Sequence, residues 1–275
     1  MTVVSFATSA PELLVSAEAA LSGHPDIALG NVLGSNLANI SLVLGLTALV
    51  FPITVQRKTY QVDWWVLFGF TILLYLFLWD GLLTFWEALA FVVLITLYNV
   101  VQIRLSRKEG KKASVEEIEA ARSRQMVLWK TLMWLILGVG ALKFGSDFLV
   151  DGSVTLASSF GISERVIGLT IVSVGTSLPE LAASLVASFK GEQELSLGNL
   201  LGSNIFNIGA VLGITGMITP VPVSDVSLLQ FDMPWVLGIT ILLYPLIRIL
   251  KHGTIERWEA GVLLVAYGVY IYLLF

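Results

Sequence analysis

The segment TSAPEL at residues 8–13 recurs as TSLPEL at residues 176–181, and LGNVLGSN at residues 29–36 recurs as LGNLLGSN at residues 197–204. Both pairs have the same offset of 168 residues. Residues 2–47 align without gaps onto residues 170–215, and 24 of these 46 positions are identical. Packing alone would preserve apolar residues, whereas many of the shared positions are polar. The chain is therefore an internal duplication that repeats a polar motif.

The sequence around these motifs is strongly apolar. Hydrophobic residues make up 56% of the 275 positions, charged residues only 13%, and the mean hydropathy is +0.85. Soluble domains carry about 25% charged residues. The apolar blocks are about 17–25 residues long, which is the length that spans a bilayer. We predict nine hydrophobic segments, at roughly residues 2–21, 27–50, 64–79, 83–103, 127–150, 161–189, 196–219, 232–249 and 257–275.

The distribution of basic residues predicts the orientation of these segments. Lys and Arg are abundant in residues 104–125, whereas the loops around residues 24–26, 80–81 and 220–230 carry none. Cytoplasmic loops are enriched in Lys and Arg, so residues 104–125 are predicted to be a cytoplasmic linker and the C-terminus to lie outside. With nine segments the two repeats then have opposite orientations. Inverted repeats of this kind place a substrate site near the middle of the membrane.

The predicted fold class is all-α, a polytopic transmembrane helix bundle of two inverted repeats. The first repeat covers residues 1–103 and the second covers residues 126–275, joined by the linker. The offset aligns the first residue with Leu169, so residues 126–168 have no counterpart in the first half. We therefore expect the first repeat to be N-terminally incomplete, with about nine helices in this chain.

Two carboxylates, Glu12 and Glu180, lie inside apolar predicted helices. A charge at the middle of a bilayer costs about 2.5–3.5 kcal/mol even on lenient scales, so each carboxylate needs a cation or a proton. Lys143 is the one basic residue well inside a predicted segment, and Asp147, four residues later, is its expected partner. The two glutamates are therefore predicted to bind cations from solution.

Each glutamate follows a Thr-Ser pair and a proline. The threonine lies four residues before the glutamate, on the same face of a helix, and the serine widens that polar strip. The proline lacks an N–H group, so it leaves a backbone carbonyl free and is expected to kink the helix. These polar residues are Thr8, Ser9, Thr176 and Ser177.

The LGN-LGSN segments supply a second polar pair in each half, again spaced four residues apart. These residues are Ser35 and Asn39 in the first repeat and Ser203 and Asn207 in the second. Gly30, Gly34, Gly198 and Gly202 form small-xxx-small pairs and are predicted to serve close helix packing. Carboxylate, amide, hydroxyl and carbonyl oxygens are hard ligands, and the chain has no cysteine, so the set suits calcium and sodium.

At these motifs the sequence resembles the calcium/cation antiporter superfamily, and specifically a short prokaryotic sodium/calcium exchanger. That family's paired signature, Gly-Thr-Ser-x-Pro-Glu followed by Gly-Ser-Asn-x-x-Asn, is matched in both halves, with Ala7 in place of the first glycine. The resemblance implies ten helices in a full-length member and exchange of calcium for several sodium ions. The ion ligands that it implies are Ser5, Thr8, Ser9, Glu12, Ser35, Asn39, Ser173, Thr176, Ser177, Glu180, Ser203 and Asn207, with Ser5 and Ser173 contributing backbone carbonyls.

The predicted function is secondary antiport of calcium against sodium by alternating access, in a cell inner (plasma) membrane and in contact with membrane lipid. Two alternatives stay open: a proton/cation exchanger that uses Glu12 and Glu180 as its protonatable pair, and an inactive, N-terminally truncated fragment. We find no nucleophile–base pair and no cofactor motif, so we predict no enzymatic activity and no cofactor. The net charge of −4 is spread through the loops, and no basic face is predicted for nucleic acid.

Overall fold

A computed structural model describes residues 2–55, 59–109, 128–250 and 253–275, and these residues are mostly helical. The helices of the first half are α1 (Thr2–Thr8), α2 (Ala10–Leu21), α3 (Pro25–Leu37), α4 (Leu44–Val50), α5 (Trp64–Phe77) and α6 (Phe85–Glu109). The second half contains α7 (Leu128–Phe160), α8 (Glu164–Ile167), α9 (Ser173–Thr176), α10 (Leu178–Phe189), α11 (Gln193–Phe206), α12 (Gly213–Ile218), α13 (Met233–Pro245) and α14 (Arg257–Leu274). The four short strands are β1 (Ile53–Thr54), β2 (Leu82–Leu83), β3 (Val221–Pro222) and β4 (Thr254–Ile255).

Wider π-helical turns join several of these helices into longer rods. They are Ala38–Val43, Thr59–Asp63, Gly168–Val172, Asn207–Leu212, Leu228–Asp232 and Leu246–Leu250, and a short 3-10 turn covers Leu78–Asp80. The turns at Ala38–Val43 and Asn207–Leu212 follow the GSN motif in each repeat, so both copies of the motif end in the same irregularity. Such π-turns are frequent at functional sites, because they re-aim the side chains beside them.

Seven helical rods among the described residues are long and apolar enough to cross a membrane. They are Pro25–Val50, Gln61–Asp80, Phe85–Leu105, Glu164–Phe189, Ser196–Ile218, Leu228–Arg248 and Arg257–Leu274. Several of them turn apolar side chains outward. In the apolar stretch of Phe85–Leu105, only 22% of the residues are buried. Large aromatic side chains such as Trp86 and Tyr272 are 75% and 81% exposed. An apolar exterior of this extent suits contact with lipid, and the predicted all-α multi-pass fold is confirmed.

The other two predicted segments take a different form. The segment predicted at residues 2–21 is interrupted at Ser9, which separates α1 from α2. The segment predicted at residues 127–150 lies in α7, which continues to Phe160. Helix α6 continues to Glu109, so the first residues of the predicted linker are helical. The rest of that linker, residues 110–125, lies outside the described residues.

The four short strands demonstrate the internal symmetry. Strand β1 pairs antiparallel with β4, with Ile53 opposite Ile255, and β2 pairs antiparallel with β3, with Leu83 opposite Val221. The repeat offset of 168 carries Ile53 onto Val221, and an offset of 172 carries Leu83 onto Ile255. Each half therefore donates one strand to each small sheet, and the two sheets exchange under the symmetry of the repeat.

Contacts at the helix ends place the two sheets at opposite ends of the bundle. The backbone N–H of Ser224, just after β3, donates to the Asp26 carboxylate at the start of α3. At the other sheet, the ring of Phe51, just before β1, lies 4.7 Å from the ring of Phe189, the last residue of α10. Asp26 lies at the start of the rod Pro25–Val50, and Phe51 directly follows its end. The α2–α3 turn and the equivalent α10–α11 turn therefore lie at opposite ends of the bundle, and the predicted inversion is confirmed.

The apolar core is shared between the halves. It contains Leu29, Leu33 and Leu44 from the first half, together with Leu197 and Leu201 from the second, all buried in one cluster. The signature helices of both repeats pass through this core. The polar residues that they carry are consequently enclosed by apolar packing.

Candidate cation site

The helix that carries each glutamate is broken just before it. Ser9 has φ −87° and ψ 8°, and Ser177 has φ −84° and ψ 0°, so neither continues the helix on both sides. In both copies a proline follows within the first two residues of the next helix. Proline has no backbone N–H, so it cannot donate a hydrogen bond back across the break. The predicted kink is therefore a true interruption, two residues before the proline.

The break brings the two halves together at the carboxylates. Glu12 and Glu180 are both fully buried, at 0% exposure. The Ser9 hydroxyl donates across the repeat interface to Glu180 Oε1 at 3.3 Å. Among the described residues, both carboxylate oxygens of Glu12 and Oε2 of Glu180 have no hydrogen-bond partner. Buried polar atoms are nearly always paired, so three carboxylate oxygens without a partner among the described residues are an unusual feature that a bound cation would satisfy.

Two amide oxygens have the same property. Asn39 Nδ2 donates to Asn204 Oδ1 at 3.0 Å, and Asn207 Nδ2 donates to Asn36 Oδ1 at 3.2 Å. These bonds occupy the amide donors of Asn39 and Asn207 and fix which way each amide lies. The Oδ1 atoms of Asn39 and Asn207 are buried and have no partner among the described residues. Each half thus provides a fixed, unpaired carbonyl-type oxygen.

Asn36 and Asn204 were not among the predicted site residues. They are equivalent under the repeat offset, and each side chain donates to the other's backbone carbonyl, at 3.3 Å and 3.1 Å. This reciprocal pair lies on the pseudo-two-fold axis between the halves. Its recurrence in both GSN motifs was the signal for its importance, and its role is to hold Asn39 and Asn207 in place.

The hydroxyl residues pair symmetrically across the same interface. The hydroxyls of Thr8 and Ser203 are 3.3 Å apart, and the equivalent hydroxyls of Thr176 and Ser35 are also 3.3 Å apart. Of the twelve predicted site residues, Thr8 is partly exposed and the other eleven are buried. The fold therefore brings hydroxyls from both repeats to the same interface as the two carboxylates.

Ser5 and Ser173 lie one turn before the helix breaks. Their backbone carbonyls accept from the N–H groups of Ser9 and Ser177, each at 3.0 Å. The Ser5 hydroxyl donates to the side-chain oxygen of Asn199 at 3.1 Å. In the other half, Asn31 accepts from Thr176 at 3.0 Å. Asn31 and Asn199, which sequence reasoning missed, are thus a second pair that supports the site.

The glycines of the GSN helices allow this close contact. A Cβ atom on Gly34 would lie 2.5 Å from the Ser173 hydroxyl, and a Cβ on Gly202 would lie 2.5 Å from the Ser5 hydroxyl. The two contacts are equivalent under the repeat. A Cβ on Gly30 would lie 3.1 Å from Gly168 Cα. The predicted packing role is confirmed for these three glycines.

The intramembrane lysine does not take part in the cluster. Lys143 Nζ lies 2.6 Å from Glu18 Oε2 and 2.5 Å from Asp147 Oδ1. The predicted pairing with Asp147 is confirmed, and Glu18 is an additional partner. In the part of the chain that the structure describes, no Lys or Arg forms an ion pair with Glu12 or Glu180.

A buried ion pair that sequence reasoning missed joins α8 to the turn Leu228–Asp232 in the second repeat. Arg165 donates to both Asp232 oxygens, at 2.6 Å and 3.1 Å, and Tyr270 donates to the same carboxylate at 3.0 Å. The first repeat has an equivalent of the tyrosine–aspartate bond, from Tyr98 to Asp63 at 2.8 Å. The recurrence of these aspartates and tyrosines at offsets of 169 and 172 was the available signal.

The repeated Glu87 and Glu259 have a structural role at helix starts. Glu87 accepts from the Thr84 N–H at 2.8 Å, and Glu259 accepts from the Glu256 N–H at 2.7 Å. Both bonds satisfy a free backbone donor ahead of a membrane-spanning helix. The Trp-Glu-Ala segment that recurs at residues 86–88 and 258–260 is therefore a helix cap and has no part in the polar cluster.

Known proteins place the chain in a family. The family model described as sodium/calcium exchanger protein matches residues 1–104 and 130–275. The chain belongs to the sodium/calcium exchanger family. The resemblance inferred from the two signatures is thereby confirmed over both repeats.

Individual relatives of this exchanger-family chain cover nearly all of it. The protein CaxA of Alkalimonas amylolytica is 44% identical over 281 residues, which cover 100% of this chain and 86% of CaxA. The sodium/calcium exchanger MaX1 of Methanosarcina acetivorans is 31% identical over 318 residues, covering 100% of this chain and 87% of MaX1. A solved structure of the sodium-calcium exchanger NCX_Mj superposes with a TM-score of 0.70 at 32% identity, covering 98% of this chain and 84% of that one.

Proposed function

We propose that this chain exchanges calcium for sodium across the membrane, using one cation site between the two repeats. The observation that carries the proposal is the set of orphaned buried oxygens from Glu12, Glu180, Asn39 and Asn207. The set contains two carboxylates and neutral oxygens, which are ligands that calcium and sodium prefer. The names of MaX1 and NCX_Mj, both described as sodium/calcium exchangers, support the same pair of ions.

The charge of the site supplies a physical basis for exchange. Two buried carboxylates without a cation repel each other and lack the solvation that water would give them. One calcium ion or two or more sodium ions would each offset this charge. Reorientation of the loaded site is therefore favoured over reorientation of the empty site, which couples the movement of one ion to the return of the other.

We further propose specific roles for the twelve predicted ligand residues. The two carboxylates and the amide oxygens of Asn39 and Asn207 would contact calcium or sodium directly. The remaining ligands would be the hydroxyls and backbone carbonyls of Ser5, Thr8, Ser9, Ser35, Ser173, Thr176, Ser177 and Ser203. Membrane lipid surrounds the bundle, and the transported ions are its substrates.

The orientation belongs to the same proposal. The sequence next to Phe51 and Phe189 is basic: Lys190 follows Phe189 directly, and Arg57 and Lys58 follow Phe51 by six and seven residues. Basic loops are retained in the cytoplasm, so we place this end of the bundle and the linker on the cytoplasmic side of a plasma membrane. The C-terminus would then lie outside.

Flux through reconstituted vesicles tests this function. The purified chain is reconstituted into liposomes loaded with sodium, and uptake of radioactive calcium is followed after dilution into sodium-free buffer. We expect calcium uptake that requires internal sodium. Uptake that persists without sodium and follows an imposed pH gradient would select the proton/cation exchanger and contradict the proposal.

Two glutamate variants make the flux assay specific for the site. Glu180→Gln keeps the shape of the side chain but removes one of the two charges, so calcium uptake should be abolished. Glu18→Gln removes a carboxylate that pairs with Lys143 instead, and should retain uptake. Near-normal uptake by Glu180→Gln would contradict the assignment of the site.

A further inference from the structure

The two helix hairpins that lead away from the cation site differ in a way that breaks the repeat. In the first half, α2 and α3 are fastened together: Asn31 Nδ2 donates to Ser16 Oγ at 2.9 Å, and Ser16 donates to the Ala28 carbonyl at 3.4 Å. The equivalent residues in the second half are Asn199 and Ser184. Among the described residues, Asn199 Nδ2 and Ser184 Oγ are buried without a partner.

The second hairpin also carries extra polar residues. Ser188 occupies the position of Ala20, and Ser196 occupies the position of Ala28. These two serines are 2% and 1% exposed, and neither hydroxyl has a partner in the described part of the chain. Serines in helices commonly donate to the carbonyl four residues earlier, as Ser41 does here. Two hydroxyls without a partner in one helix hairpin are therefore unusual.

These orphaned groups form a line that starts at the cation site. Glu180, Ser184 and Ser188 are spaced four residues apart, so they lie on one face of α10. At a rise of 1.5 Å per residue, the line from Glu180 to Ser188 extends about 12 Å along the helix. About 15 Å separates the middle of a bilayer from the edge of its hydrocarbon core. The line therefore extends from the site nearly to the end of the helix that bears Lys190.

We propose that transported ions reach Glu180 from the Lys190 end through the seam between α10 and α11, with Ser184, Ser188, Ser196 and Asn199 as its polar lining. This inference rests on the proposed function, since it assumes that an ion travels to the site. A buried polar group without a hydrogen-bond partner costs free energy. Water that enters between separated α10 and α11 helices would pair with these groups and offset that cost. The α2–α3 hairpin gains nothing equivalent from separating, because Ser16 and Asn31 are already hydrogen-bonded there and Ala20 and Ala28 stand where the second half has its two extra serines. The structure thus assigns access from the Lys190 end to the α10–α11 hairpin.

The natural absence of cysteine allows a direct test. Ser188→Cys and its repeat equivalent Ala20→Cys each create a single thiol in the whole chain. A membrane-impermeant, positively charged methanethiosulfonate reagent is applied to membrane vesicles of both orientations. Labelling is read as loss of later reaction with a maleimide-polymer that shifts the band on a gel. This readout needs no ion flux, so its failure is distinguishable from failure of calcium–sodium exchange.

We expect Ser188→Cys to be labelled from the Lys190 side at least about tenfold faster than Ala20→Cys is labelled from the opposite side. Ser196→Cys, on the facing helix, serves as a second reporter if Ser188→Cys does not fold. Saturating calcium should leave reporter thiols near the end of the seam reactive but should slow labelling of Ser184→Cys, which is one turn from Glu180. Equally slow labelling of the Ser188, Ser196 and Ala20 positions from either side would overturn the proposal.

Discussion

The interlocking of glycine and serine between the repeats gives a quantitative prediction. Gly34→Ala places a Cβ atom 2.5 Å from Ser173 Oγ and 2.7 Å from the Leu169 carbonyl oxygen. The carbonyl belongs to the backbone and cannot rotate away, so the two helices must separate. Overpacking of this kind costs about 1–3 kcal/mol. With about 2–4 °C per kcal/mol for a chain of this size, the thermal midpoint should fall by about 2–12 °C.

Two further glycine variants serve as comparisons. Gly202→Ala meets only the Ser5 side chain, which can rotate at the loss of its bonds to Asn199. Its cost should be smaller, at about 1 kcal/mol. Gly238→Ala, in helix α13, has no atom within 4 Å of its new Cβ and should be neutral or slightly stabilising.

The assay is thermal unfolding of the purified variants in one detergent, at matched ionic conditions. The expected order of thermal midpoints is Gly34→Ala below Gly202→Ala below Gly238→Ala. Calcium should also protect Gly34→Ala less than it protects the unsubstituted chain, because Ser173 belongs to the proposed site. A Gly34→Ala midpoint equal to or above that of Gly238→Ala would refute the reasoning.

Three other substitutions probe separate parts of the molecule. Asn207→Asp adds a third carboxylate beside the first two, so sodium competition and the pH profile of uptake should change; unchanged profiles would place Asn207 away from the ion. Asp232→Asn removes the nearer counterion of the buried Arg165 and leaves only the Asp225 carboxylate, 3.8 Å away, so it should cost about 3–5 kcal/mol, seen as a large fall in thermal midpoint. Partial burial raises the pKa of Asp225, but hydrogen bonds from Ser227 and the charge of Arg165 outweigh this and lower its pKa below the ordinary value. The stabilisation from Asp225 is then present at neutral pH and is lost as the pH falls through that lowered value, so Asp225→Asn should lower the thermal midpoint at pH 7 and have no effect in strong acid.

The sequence was sufficient for the repeat, the inversion and the polar motifs, because identical residues at one offset report symmetry directly. It was less informative about the helix break. Helical spacing placed Thr8 and Glu12 on one face, but the chain interrupts the helix at Ser9 between them. As a result Ser9 contacts Glu180 of the other half, whereas Thr8 contacts Ser203. Spacing rules assume a continuous helix, and here the proline motif removes that assumption.

Contacts between the halves were beyond the reach of spacing arguments. The Asn36–Asn204 pair joins residues 168 positions apart, and its recurrence marks it as important without revealing that the two residues meet. The Arg165–Asp232 bond joins residues 67 positions apart within the second half, and helical spacing gives no signal for it. These interactions depend on how the repeats pack, which only the three-dimensional structure defines.

Equilibrium binding of radioactive calcium to the purified chain tests the central claim most directly. We expect one saturable calcium site per chain, displaced by sodium, in the unsubstituted protein and in Glu18→Gln. Removing one charged partner from a buried ionic site costs about 3–5 kcal/mol, so Glu12→Gln and Glu180→Gln should each weaken binding at least about a hundredfold. The double variant should bind no calcium at the concentrations that saturate the unsubstituted chain. Calcium binding by the double variant with unchanged affinity would contradict the account.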